Sequence, residues 1–173
     1  MNEIVVMDKF LDDTELEKVS DLLHSKDWHF GHKSLHNDSI ETPFWTTNLK
    51  DETYLSEYVK GLIEKRFLQK FEVLRLYANG QTFGQDGTYH TDSDSDDNYT
   101  FCLYMTDIDP HYIEVAGGHI YFKIPGEKYQ ICYEPIYNRG IFFPARYEHK
   151  ATAFSRYIMS LRRCITWKLR KIS

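Results

Sequence analysis

Beyond residue 70 the sequence breaks into short stretches rich in aromatic and β-branched residues, each closed by a turn signal, and this texture limits the chain to a sheet-dominated core. Glu72–Ala78, Tyr99–Asp107, Gly118–Ile124, Arg139–Pro144 and Leu161–Arg170 read as strands, with turns at Asn79-Gly80, Gly117-Gly118 and Pro125-Gly126. Before residue 70 the period lengthens. Thr14-Glu15-Leu16-Glu17 has a capping-box pattern, and Leu16, Val19, Leu22 and Leu23 then share one helical face. A second helix starts around Asp51, with Leu55, Val59, Leu62, Ile63 and Phe67 on one stripe; residues 29–50 read as loop or short edge strands. Two helices followed by six to eight strands predict an α+β fold, with helices on one face of a sandwich or jelly roll. A single domain is expected over 1–173, residues 1–70 giving mainly helical support and loops and residues 71–170 the core that carries the chemistry.

Composition removes several function classes. With 42% hydrophobic and 27% charged residues the chain is globular rather than disordered, and its apolar runs are too short for a bilayer-crossing helix. The start, Met1 to Asp8, carries acidic residues where a signal peptide needs a basic flank, so a cytoplasmic, intracellular protein is expected. A net charge of −5 argues against a nucleic-acid partner. The basic stretch Lys168-Leu169-Arg170-Lys171 reads as a solvated strand end. Cys102, Cys132 and Cys164 form no CxxC pair and are odd in number, so buried free thiols are expected rather than a zinc or disulfide framework.

His90-Thr91-Asp92 is a His-x-Asp pair, whose side chains share a face on an extended strand and could reach one metal ion. Alone it is weak, because chance gives roughly 0.6 such pairs in a chain with 8 His. A second pair, His36-Asn37-Asp38, lies in a polar stretch without strand pattern and reads as solvated loop. The surroundings of His90 are different. After it come the strand at Tyr99, the Gly117-Gly118 strand, the hydrophobic Gly140–Pro144, a distal His149, and cations at the start of the last strand, Arg162 and Arg163.

In that order the motifs resemble the Fe(II)/2-oxoglutarate-dependent oxygenases, in detail their prolyl 4-hydroxylase-like branch, over roughly residues 72–169. The opening at residues 8–16 resembles the lead-in to that family's supporting helix, and the small, acidic form is similar to phage-encoded members. The resemblance implies a double-stranded β-helix (jelly roll). It also implies His90, Asp92 and His149 as a facial triad for Fe(II), with three sites left for 2-oxoglutarate and O2. Ascorbate is that family's accessory reductant. The distal carboxylate of 2-oxoglutarate needs a buried cation. Arg162 matches the family's Arg-x-Ser/Ala pattern, with Cys164 at the small position, while Arg163 and Arg156 stay open as alternatives. Tyr104 corresponds to a tyrosine that donates to the same carboxylate, Tyr77 to another pocket tyrosine, and Thr166 shares the Arg162 face. Tyr89 points to the opposite face, and His111 and His119 read as spare.

The activity implied is hydroxylation of a prolyl residue in a peptide or protein. A free amino acid or other small-molecule substrate stays open, as does a non-catalytic jelly-roll binding protein, and the oligomeric state is not fixed. The carboxylates of Asp94, Asp96 and Asp97 suggest a solvated loop beside the site that would favour a basic substrate.

Overall fold

A computed structural model describes residues 3–33 and 43–172. The fold is mixed α/β, built on two antiparallel sheets. Ten strands are described: β1 (Val5–Met7), β2 (His29–His32), β3 (Phe44–Asn48), β4 (Lys70–Gln81), β5 (Asn98–Tyr104), β6 (Ile120–Lys123), β7 (Gln130–Tyr133), β8 (Gly140–Pro144), β9 (His149–Ala151) and β10 (Arg162–Ile172). Seven of them form the large sheet in the order β1-β8-β5-β10-β4-β3-β2, and the small sheet runs β7-β6-β9. Helix α1 (Asp13–His24) and helix α2 (Lys60–Phe67), the latter entered through a π-helical turn at Tyr54–Val59, pack on one face of the large sheet.

Period-two alternation sorts the sheet residues between two cores. Leu76, Ala78, Phe101, Leu103, Phe142, Ile165, Trp167 and Leu169 face the helices, where they meet Val19, Leu23, Leu55, Val59 and Ile63. Cys102, Tyr104, Ile141, Phe143 and Cys164 face the small sheet, against Ile120 and Phe122. Trp167 is fully buried, and its indole N–H donates to the Leu55 carbonyl at 3.1 Å, tying the helical layer to the centre of the sheet.

Several elements differ from the sequence-based expectation for physical reasons. Helix α1 is capped by Asp12, not Thr14. The Asp12 carboxylate accepts from the Glu15 amide and the Glu15 side chain accepts from the Asp12 amide, a complete capping box two residues earlier. Asn79-Gly80 is no turn but lies inside β4, paired with Cys164 and Arg163. Gly80 is there for space: a Cβ would come within 2.8 Å of Leu161 and 3.0 Å of Trp28. The first 70 residues contribute strands β1, β2 and β3 as well as helices, and β1 is the edge strand beside β8. Cys132 is exposed, whereas Cys102 and Cys164 are buried; all three are free thiols. His36 and Asp38 lie outside the described residues. Among the described residues no helix is long and apolar enough to cross a membrane.

The junction between α2 and β4 rests on Glu64. Its carboxylate accepts from the Phe71 amide (2.9 Å), Lys60 (3.1 Å) and Lys70 (2.8 Å), while Leu68 takes the left-handed conformation (φ 51°) that ends the helix. Burial raises the Glu64 pKa, but these donors outweigh it and the net direction is down. Glu64→Gln should therefore cost about 1–2 kcal/mol at neutral pH, with Lys70 exposed and contributing little. A depressed carboxylate pKa stabilises above the unfolded value and loses that stabilisation as pH falls. The gap between wild type and variant in urea unfolding should thus shrink below about pH 4.5.

Candidate metal centre and cavity

The face of the large sheet turned toward β6 and β9 carries four successive rungs, set by the β4–β10–β5 register. Gln81 pairs with Arg162; Asn79, Cys164 and Tyr104 form the second rung; Tyr77, Thr166 and Cys102 the third; Arg75, Lys168 and Thr100 the fourth. All of these except Thr100 line a cavity of about 470 Å³, whose other wall includes His90, Asp92, Ile120, His149 and Ala151. Small side chains at Cys164 and Thr166 keep its floor open.

One ligand atom each from His90, Asp92 and His149 comes within 4.8 Å of the others, a cluster able to hold a metal ion. The two histidines form a backbone pair: the His90 amide donates to the His149 carbonyl (3.0 Å) and the His149 amide to the His90 carbonyl (2.9 Å). Each imidazole bonds through Nδ1 to the carbonyl two residues earlier, His90 to Thr88 at 2.9 Å and His149 to Tyr147 at 2.8 Å. With Nδ1–H donating, each Nε2 keeps its lone pair for a metal. Both Nε2 atoms point at Asp92, 3.5 Å from its carboxylate oxygens. Burial pushes the His149 pKa down to about 4 despite the nearby Asp92 charge, so the ring is a neutral ligand at pH 7. Asp92 is held by the chain rather than by a regular strand, its amide donating to the Ala145 carbonyl at 2.8 Å.

At the other end of the cavity Arg162 is 2% exposed. Its Nε donates to the Gly118 carbonyl (2.7 Å) and one terminal nitrogen to Gln81 (2.9 Å), while the other lies 3.5 Å from the Tyr104 hydroxyl. Gly118 has φ +74°, and a Cβ there would meet Phe154 at 2.6 Å, so only glycine brings that carbonyl to the guanidinium. Tyr77, Tyr104 and Thr166 all line the cavity. Arg163 points to the helical face, donating to His24 at 3.0 Å, and Arg156 is exposed in the loop before β10. Tyr89 lies outside the cavity, its ring beneath Lys123 and Lys150 and its hydroxyl bonded to Gln130. His111 is exposed beside Asp109, and His119 is not part of the metal cluster.

No family model matches the chain, and neither does any curated protein. Solved structures do. A 2OG-Fe(II) oxygenase family oxidoreductase from Burkholderia pseudomallei superposes with TM-score 0.76 at 12% identity, covering 96% of this chain and 84% of its own. A Trichoplax adhaerens prolyl hydroxylase in complex with a hypoxia inducible factor peptide fragment gives 0.72 at 19% identity, over 98% and 84%. The non-heme alpha ketoglutarate dependent epimerase SnoN from nogalamycin biosynthesis gives 0.68 at 15%, over 98% and 76%. The fold is that of the 2OG-Fe(II) oxygenases.

The residues present fit the metal that this oxygenase fold implies. Two imidazoles whose Nε2 atoms face one ionised carboxylate match the donor set of a non-heme Fe(II) site. Sequence reasoning missed one member of this site. Lys168, expected at a solvated strand end, is largely buried (side chain 17% exposed) and forms an ion pair with Asp92. Burial opposes its charge, but the Tyr77 and Asp92 side chains outweigh that and raise its pKa. Burial likewise pushes the Asp92 pKa up, and Lys168 foremost pulls it well below the usual carboxylate range. Alternation from Arg162 through Cys164 and Thr166 would have placed Lys168 on the cavity face. The acidic loop is not part of the cavity lining, and Asp96 is paired with Arg146 at 2.8 Å.

Because Lys168 is buried against Asp92, Asp92→Ala should do more than remove a ligand. It leaves a buried ammonium unpaired, a loss of about 3–5 kcal/mol in unfolding free energy. Adding Lys168→Met should restore most of that stability without restoring metal binding, which denaturant titration and Fe(II) or Mn(II) calorimetry would separate.

Proposed function

We propose that this protein is an Fe(II)- and 2-oxoglutarate-dependent dioxygenase that hydroxylates an unactivated C–H bond, built as one double-stranded β-helix domain. The observation that carries this reading is one cavity holding a His-Asp-His cluster at one end and a buried, oriented arginine at the other. His90, Asp92 and His149 would hold the metal. Arg162 would hold the distal carboxylate of 2-oxoglutarate, with the Tyr104 hydroxyl as second donor and Thr166 and Tyr77 bounding the space between. When bound, metal and cosubstrate supply the oxidation, with 2-oxoglutarate and O2 leaving as succinate and CO2 plus the oxygen given to substrate. The chain's part is to fix the ligand tautomers through Thr88 and Tyr147, aim the guanidinium through Gly118 and Gln81, and exclude water from the floor. Likeness to the Trichoplax adhaerens hydroxylase supports a prolyl residue in a peptide or protein as substrate, and likeness to SnoN supports a small molecule. Ascorbate would serve as accessory reductant, and a cytoplasmic setting fits the reading.

Succinate formed from 2-oxoglutarate with Fe(II) tests the activity, and its stimulation by a proline-rich peptide tests the substrate class. No succinate with peptide, amino-acid or small-molecule substrates would leave a binding protein. Arg162→Ala should weaken 2-oxoglutarate more than a hundredfold, since a buried carboxylate without its cation costs about 3–5 kcal/mol. Arg163→Ala should leave it unchanged, because that side chain lies on the helical face. Tyr104→Phe removes one hydrogen bond to a charged group, about 1.5–3 kcal/mol, and should raise the 2-oxoglutarate KM roughly tenfold or more. Steady-state succinate assays on the three variants decide between these outcomes.

A further inference from the structure

Charge within the cavity is unbalanced. Among the described residues four cations line it, Lys33, Arg75, Arg162 and Lys168, against the single carboxylate of Asp92. Even a divalent metal at the cluster and a doubly charged 2-oxoglutarate leave three positive charges uncompensated there. The positions of these charges matter as much as their number. Arg162 stays on the first rung, bonded to Gln81, and Lys168 on the fourth, with its ammonium 3.4 Å from Thr100. Six residue steps of β10 separate the two, roughly 20 Å between their backbone positions at about 3.3 Å per residue. The five-carbon chain of 2-oxoglutarate spans only roughly 5–6 Å between carboxyl carbons, with C–C bonds of about 1.5 Å. A diacid reaching from Arg162 to the cluster brings only two negative charges into the cavity, so the surplus of three remains.

On that rung Arg75 is the direct neighbour of Lys168 across the β4–β10 ladder. Its guanidinium lies over the Tyr77 ring at 4.3 Å, and it is exposed at the rim with no carboxylate paired to it among the described residues. The partner of Lys168 is Asp92, whose charge is shared as soon as it ligates a metal. A buried ammonium that must share its counter-charge with a metal is stabilised by another anion. Arg75, its neighbour on the ladder, adds to the positive potential that an anion would meet there.

We propose that Arg75 and Lys168 form a second anion site, beside the metal cluster and on a different rung from Arg162, that receives a carboxylate or phosphate of the primary substrate. This rests on the oxygenase reading and narrows it. The oxidised carbon belongs to an acidic molecule, or to a residue beside an acidic group, whose anion anchors at the rim while the C–H bond faces the cluster. Selection is then opposite in sign to what the acidic loop suggested, because the cations line the cavity and the loop carboxylates do not.

The test is calorimetric binding of benzoate, phenyl phosphate and neutral benzamide to protein loaded with Zn(II), a redox-inert divalent ion, and saturating 2-oxoglutarate. At least one anion should bind ten times or more tighter than benzamide, and whichever of the two does so identifies the group. Arg75→Ala, at an exposed position that should not disturb folding, and Lys168→Met should each cut that affinity about tenfold and leave benzamide unchanged. Equal binding of all three probes, no anion binding, a preference surviving both substitutions, or displacement of the anion by 2-oxoglutarate would each overturn the proposal. Titration of 2-oxoglutarate alone is read separately. If it fails while the anion preference stands, the oxygenase reading falls and the anion site remains.

Discussion

Strand β10 is confined on both sides, and that confinement organises the molecule. It pairs with β4 on one edge and β5 on the other, with the helical layer over one face and the cavity over the other from Arg162 to Lys168. At odd positions Ile165 and Trp167 are apolar because they are sealed beneath the helices, while Arg163 at the start of the strand reaches His24. Even positions form the cavity floor, so they can be polar only where a partner is present: Gly118 and Gln81 for Arg162, Asp92 for Lys168. Stability and site geometry therefore share one backbone. A one-residue slip would bring the guanidinium under the helices and the indole into the cavity.

Much of this was legible before the structure. Aromatic and β-branched stretches located β4, β5, β8 and β10, the central strands of the large sheet, because burial on both faces demands such residues. The ordered histidines and Asp92 stood out since a His-x-Asp pair followed by a distal His is a pattern that packing alone does not require. Alternation also separated Arg162 from Arg163. What stayed hidden depended on contacts distant in sequence. Gly80 looked like a turn because close approach by Leu161 and Trp28 leaves no local trace. Short strands such as β7 and β9 are made by their partners rather than by propensity. Lys168 was misread because a basic run at a strand end is ordinarily solvated, and only the fold shows Asp92 waiting beside it.

The two ends of the cavity are controlled by different physics. At Arg162 a guanidinium is aimed by neutral acceptors, so its charge is available to a ligand. At Lys168 the charge is already engaged by a carboxylate with a second task. Molecules entering this space meet one cation held in reserve and another whose partner can be drawn away by metal. If the cluster takes a metal, its occupancy and the affinity for anions beside it would be linked, each favouring the other by the same factor.

The reciprocal amide bonds between His90 and His149 hold both imidazoles in place through the main chain, with their tautomers set by Thr88 and Tyr147. Little conformational entropy is left to lose when an ion arrives. An ion taken by the cluster would then meet rings oriented by the main chain, and its removal by a chelator would be expected to leave the surrounding sheets in place.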